Sequence, residues 1–356
     1  MTPIRLVDTG SVPAVRSQTI YHAAAHAMRP GSPDTIIVVS PADPYVCVGF
    51  HQDAAQEVDL AYCAERGLPV LRREVGGGAV YLDSGQVFLQ WVFHPSSLPS
   101  TLEEQFALYV HPLVETYRAL GISAELRPVN DVHVGGKKIG GTGAAQIGLA
   151  RVLVGSLMFD FDKRTMARVL KVPSEKMRDK VVAGLEAYMT TMREQLAELP
   201  PRDEVVRLYL DRCREALGAE IVPGPWTAEE EAEARRLDER FVTREWLEQR
   251  GGRRGVGVKI HEEVHVVEGA YKAPGGLVRV IATLHDHRID DLALSGDFTL
   301  LPADGLGALE EAARGLAVDR GEIAAALAGV YRELDLRSPG VEPEDFARAI
   351  VLAAGG

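Results

Sequence analysis

The run Thr35-Ile36-Ile37-Val38-Val39 is apolar and β-branched, and a second apolar run, Tyr45 to Val48, follows the turn-forming Pro41-Ala42-Asp43-Pro44. This pattern predicts a β-hairpin. Val58 to Arg66 has helical spacing and is closed by Gly67, which suits a C′ glycine. Pro69-Val70-Leu71 predicts a strand entering a glycine loop. Gln86 to Phe93 is apolar on both faces, as a central strand is. Leu102 to Leu120 carries a helical apolar stripe, interrupted near Pro112 and ended at Gly121. Val152 to Phe161 predicts another buried strand.

From about Met189 to Arg250 the chain becomes charged and helical in period, with Pro223-Gly224-Pro225 as a break. These helices are expected to connect and close a first domain, residues 1–250. Strands resume at Gly255 to Ile260, Val264 to Val267, Leu277 to Leu284 and Ile289 to Leu294. Helical stretches follow at Leu306 to Arg314, Arg320 to Leu334 and Glu344 to Leu352. Strands followed by helices predict a compact α+β domain over residues 251–356.

At 356 residues the chain is long enough for two domains. With 46% hydrophobic and 25% charged residues it can bury a core, which excludes disordered and collagen-like classes. Thirty-nine basic residues against 51 acidic ones leave a net charge of −12 with no dense basic block. Nucleic-acid and anionic-membrane partners are therefore not expected. The cysteines Cys47, Cys63 and Cys213 are odd in number and lack CxxC spacing, which suggests neither a disulfide framework nor a zinc site. No secretory or membrane-spanning apolar run is visible, so the expectation is a reduced cytoplasm.

Two stretches carry candidate chemistry. Arg72-Arg73-Glu74-Val75-Gly76-Gly77-Gly78-Ala79-Val80-Tyr81 sets three glycines between strands. Such a run marks close backbone approach, and its N–H groups with an adjacent arginine can cradle a phosphate. A wide turn with a solvated arginine pair is the alternative. The run is neither GxGxxG nor a P-loop. In Asn130-Asp131-Val132-His133-Val134-Gly135-Gly136-Lys137-Lys138-Ile139-Gly140-Gly141-Thr142-Gly143, a tight turn presents two lysines. A lysine at a glycine-lined cleft can neutralise charge on a transferring phosphoryl or acyl oxygen. A solvent-exposed hairpin tip has the same composition.

Together with Val48-Gly49-Phe50-His51-Gln52 and Glu57-Val58, and in this order, these stretches resemble the lipoate–protein ligase A family. Leu170-Lys171-Val172-Pro173-Ser174-Glu175-Lys176 is similar to the segment after that family's catalytic core. Gly275-Gly276-Leu277-Val278-Arg279, Leu294-Ser295-Gly296-Asp297-Phe298 and Leu309-Glu310 are similar to its C-terminal accessory domain. The resemblance spans roughly Ile36 to Leu352. It implies a large α+β domain of the kind shared with biotin ligases, plus a small C-terminal α+β domain. It also implies an ATP-dependent ligase that activates lipoate or octanoate as acyl-AMP and attaches it to a lysine of a lipoyl carrier domain or H-protein-like carrier.

By the same resemblance Lys138 is the catalytic lysine, and Arg73 contacts the nucleotide phosphate. Gly76, Gly77, Gly78, Ala79, Val80, Tyr81, Asn130, Asp131 and Gly141 would line the adenylate site, with Mg²⁺ accompanying ATP and no protein metal site named. Val48, Gly49, Tyr81, Val154 and Gly155 are candidates for the acyl slot, though each apolar side chain among them also reads as core. Arg72 is expected to point the other way. Two departures stand out: Leu82 and Val154 occupy positions where the family commonly has histidine, which makes the acyl site more apolar. The rival readings are an octanoyltransferase acting through a cysteine without ATP, a biotin ligase, and an inactive carrier-binding homologue. The two family-matched cations, Arg73 and Lys138, speak against an inactive homologue.

Overall fold

The computed structural model describes residues 3–172, 174–250, 259–261 and 264–355. The chain forms two compact units. The first comprises Met1–Cys47, Val58–Leu71 and Val80–Trp246; the second comprises Val48–Glu57, Arg72–Ala79 and Leu247–Gly356. Two short segments from the middle of the sequence therefore fold with the C-terminal part.

The first unit is built on a six-stranded sheet. Its order is Gly143–Ile147, Ala150–Met158, Gln86–Phe93, Thr35–Pro41, Ile4–Val12 and Ile221–Pro223. Ile4–Val12 runs parallel to both of its neighbours, and the other pairs are antiparallel. The helix Ala14–His26 makes the crossover that a parallel pair requires. All eight residues of Gln86–Phe93 are buried, in the central position that their apolar pattern predicts.

Three expectations change. Thr35–Pro41 and Tyr45–Val48 are both strands, but they do not form a hairpin. Both edges of Thr35–Pro41 are taken, by Ile4–Val12 and by Gln86–Phe93, so Tyr45–Val48 joins Val70–Arg72 and Val80–Leu82 in a three-stranded sheet. The helix Leu102–Ala119 runs unbroken through Pro112. Burial of Phe106, Tyr109, Leu113 and Tyr117 offsets the hydrogen bond that proline cannot donate. The strand expected to reach Phe161 ends at Met158.

The charged helices of residues 189–250 pack inside the first unit. Arg202–Leu217 lies on Leu102–Ala119, and Ala228–Phe241 lies on Ala14–His26. Another three-stranded sheet joins Ala124–Arg127, Asp131–Val134 and Lys137–Gly141.

The second unit contains a four-stranded antiparallel sheet of Lys259–His261, Val264–Ala273, Gly276–His285 and Arg288–Gly296. Helices Gly305–Ala313, Arg320–Glu333 and Pro343–Ala353 follow in the order that their periodicity predicts. Alternate residues Val278, Val280 and Ala282 meet Leu306, Leu309, Phe346 and Ile350 in one core. The part of the expected first strand from Gly255 to residue 258, and Pro173 of the segment after the catalytic core, lie outside the described residues.

Candidate active site

The lysine hairpin in the first unit is assembled almost entirely from neighbours in sequence. Asp131 and Lys138 lie on adjacent antiparallel strands, with a register shift between Val132 and His133. The Lys138 ammonium donates to the Asp131 carboxylate at 2.8 Å, and both side chains remain partly exposed. A Cβ at Gly141 would stand 2.9 Å from Lys138 Nζ and 3.4 Å from Asp131 Oδ1. Glycine at that position therefore leaves the room in which the ion pair sits. Asn130 anchors the hairpin base: its carbonyl accepts from the Thr142 amide at 3.0 Å and from the Thr142 hydroxyl at 2.8 Å. Its side-chain amide donates to the Thr142 carbonyl. The Lys138 carbonyl accepts from Thr190 N at 2.9 Å, which ties the lysine strand to the chain after helix Glu175–Tyr188. Lys137 turns away and donates to the Glu186 carbonyl at 3.3 Å. Asn130, Asp131, Lys138 and Gly141 are thus brought together.

The glycine loop in the second unit is built differently. Arg72 is fully buried. Its Nη1 donates to the carbonyls of Gly49, Phe50 and Gln52 at 3.0, 2.8 and 2.6 Å. Nε and Nη2 donate to the Leu247 carbonyl at 3.1 and 2.6 Å. Arg73 Nη2 donates to the Gly76 and Gly78 carbonyls at 2.8 and 2.9 Å, closing the loop on itself. A Cβ at Gly49 would overlap the Gly77 carbonyl, and one at Gly76 would stand 2.6 Å from the Phe298 carbonyl oxygen. Gly77 has φ of 93°. Two of these glycines are therefore required by the protein's own backbone, whereas a Cβ at Gly78 would find only Asp297, at 3.7 Å.

His51 secures the same loop. Its ring stacks on Phe298 at 5.1 Å, and its Nε2 donates to the Ala303 carbonyl at 2.9 Å. Burial lowers its pKa to about 4, helped by the nearby positive charge of Arg250 and Arg72. Val48, Gly49, Arg73, Gly76, Gly77, Gly78 and Ala79 all belong to this second unit. Arg72, His51 and Phe298 stand in stretches that the sequence reading singled out, but it gave none of them a part in holding the loop. The arginine pair was a visible signal for the first, whereas nothing in the sequence joins Phe298 to a loop more than 200 positions away.

Val80, Tyr81, Val154 and Gly155 belong to the first unit. The Tyr81 phenol is pushed up to about 12 by burial and by neighbouring Asp83. A Cβ at Gly155 would meet the Tyr109 ring at 3.1 Å. The three cysteines are buried and form no disulfide. Burial, with Asp59, pushes Cys63 up to about 11, and burial pushes Cys213 up to about 12. Such thiols are poor nucleophiles. Among the described residues no helix is long and apolar enough to cross a membrane.

The family model for the lipoyl protein ligase A/B catalytic domain matches residues 17–214. Octanoyltransferase LipM of Kyrpidia tusciae is 28% identical over 269 residues, covering 68% of this chain and 97% of that protein. Lipoate-protein ligase A subunit 1 of Thermoplasma acidophilum is 31% identical over 220 residues, covering 57% of this chain and 80% of that protein. Among solved structures, the bi-partite lipoate protein ligase of the T. acidophilum lipoylation system, described with its E2 lipoyl domain, matches with a TM-score of 0.64. Identity there is 27%, over 72% of this chain and 100% of that one. Lipoate-protein ligase A bound with ATP matches with a TM-score of 0.60 and 25% identity, over 69% of this chain and 98% of that one.

Proposed function

Because this chain belongs to the lipoyl protein ligase A/B catalytic-domain family, we propose that it uses ATP to activate lipoate or a close medium-chain acid and then acylates a lysine of a lipoyl carrier domain. In the first half, a carboxylate oxygen attacks the α-phosphorus of ATP, pyrophosphate leaves, and an acyl-adenylate forms. In the second, the carrier's lysine amine attacks the acyl carbonyl, the C–O bond to AMP breaks, and the amine gives up a proton as the amide forms.

The observation that carries this reading is the Lys138–Asp131 ion pair at 2.8 Å with Gly141 beneath it. A carboxylate partner fixes the direction of the ammonium before substrate arrives. The role assigned to Lys138 is to neutralise the negative charge that builds between acyl oxygen and α-phosphate. Arg73, folded on the glycine loop, is assigned to the nucleotide phosphates. Mg²⁺ would enter with the nucleotide and neutralise phosphate charge there. The ligase bound with ATP and the ligase described with its E2 lipoyl domain support ATP and a lipoyl carrier as substrate and partner.

A second reading is octanoyl transfer from a thioester, without ATP; the octanoyltransferase LipM relative favours octanoyl transfer. That chemistry calls for an accessible thiolate, and the buried, raised thiols of Cys63 and Cys213 count against it. Acid-dependent ATP–pyrophosphate exchange separates the two. A ligase exchanges label only when lipoate or octanoate is present. Octanoyl transfer from a carrier thioester without ATP, and with no exchange, would replace the ligase reading.

A further inference from the structure

Val154, a candidate for the acyl slot, has a polar neighbour that none of the quoted motifs includes. Gln90 lies on the buried strand Gln86–Phe93, and its side chain is 2% exposed. Its Nε2 donates to the Ser17 carbonyl at 3.1 Å, which turns the side chain toward helix Ala14–His26. Its Oε1 is buried with no partner. The amide cannot be flipped without loss, because that would set oxygen against the Ser17 carbonyl. A buried acceptor left empty is costly, so this oxygen is poised for a donor that is not part of the chain.

Val154 is the residue directly opposite Gln90 across the sheet. Directly paired residues project from the same face, so Val154 shares the Gln90 side. Gly155, one residue on, faces Tyr109 on the opposite side. Val154, Gly155 and Ser156 are partly exposed in the middle of a strand whose next residues, Leu157 and Met158, are buried. Val154 is therefore partly open at its strand position, and Gln90 is its direct neighbour across the sheet. Val154 also pairs with Gly143, five residues beyond Lys138. At roughly 3.3 Å per residue, that is about 17 Å of chain at most, a span suited to a medium-chain tail.

We propose that Gln90 makes this chain select acids whose far end carries a hydrogen-bond donor, a hydroxyl or a thiol, over acids ending in plain alkyl. The inference rests on the acid-activating reading above and deepens it. Beside Val154, which stands where the resemblance leads one to expect an imidazole, the amide oxygen of Gln90 is an unpartnered buried acceptor on this face. A terminal O–H or S–H satisfies it, whereas a methyl terminus seals it off from water unpaired.

Wild-type protein and Gln90→Met are compared with octanoate and with 8-hydroxyoctanoate, by acid-dependent ATP–pyrophosphate exchange and by calorimetry of the free acids without ATP. Wild type should favour the hydroxy acid about tenfold to a hundredfold, the effect of pairing or stranding one buried acceptor. In Gln90→Met, which keeps the length and loses the acceptor, the preference should shrink to within about twofold. Equal use of both acids by wild type, or an undiminished preference in the variant, overturns the role of Gln90 and leaves acid activation standing. No exchange with either acid overturns the ligase reading itself, and the calorimetric preference of wild type then decides for or against Gln90 alone.

Discussion

The lysine hairpin and the glycine loop both place a cation among glycines, yet they are held by opposite means. In the hairpin, Asp131, Lys138 and Gly141 fall within eleven residues, and the glycine leaves room for a pair of side chains. In the loop, Gly49 and Gly76 leave room for backbone, and the contacting groups include Leu247 and Phe298. A glycine in the hairpin is thus a requirement of the charge arrangement. A glycine in the loop is first a requirement of the second unit's packing. Substitutions in the hairpin should change chemistry and spare the fold, whereas those in the loop should change stability first.

The largest effect is expected at the hairpin. Lys138→Ala should lower acid-dependent exchange on the order of 10²–10³-fold, with the thermal midpoint little changed. A variant as active as wild type would remove the hairpin from the chemistry and shift attention to Lys137.

The next effect belongs to the loop and is read by pH. In the unfolded chain an imidazole takes a proton near pH 6.5, but His51 in the fold resists until about 4, chiefly because it is buried. Between those values the unfolded state binds more protons, so this stabilisation is complete above pH 6.5 and is lost as pH falls toward 4. The linkage amounts to about 3 kcal/mol. Urea titrations from pH 7 to pH 4 should show second-unit stability falling more steeply in wild type than in His51→Gln. Parallel curves would show that His51 does not govern the loop.

Smaller effects distinguish one glycine from another. Gly76→Ala places a Cβ against Phe298 and Thr299 backbone, and should destabilise by about 1–3 kcal/mol. Gly78→Ala meets only ordinary contact with Asp297, and should fall within about 0.5 kcal/mol of wild type. Equal denaturation midpoints for the two would break the packing explanation of the glycine run.

Much of this contrast follows from what sequence can encode locally. The central strand Gln86–Phe93, the helix ended at Gly67 and the three C-terminal helices were legible because a single face or cap decides each one. The Asp131–Lys138 stretch was legible as a turn presenting lysines, although the room that Gly141 leaves for the ion pair shows only in the fold. The hairpin expected over residues 35–48 was wrong because an unrecognised N-terminal strand, Ile4–Val12, occupies the edge it needed. Burial of Arg72 was not legible either. Its carbonyl partners lie at residues 49, 50, 52 and 247, and carbonyls leave no trace in residue identity.

The central claim is that a charged lysine, and not a thiol, carries the reaction. It is tested most directly by running Lys138→Ala beside a variant with Cys47, Cys63 and Cys213 all replaced by serine or alanine. Both would be assayed for lipoate-dependent ATP–pyrophosphate exchange and for acylation of a lipoyl domain. The account predicts that the cysteine-free protein exchanges and acylates, and that Lys138→Ala does neither. Loss of acylation in a folded cysteine-free protein, with Lys138→Ala still active, would contradict it.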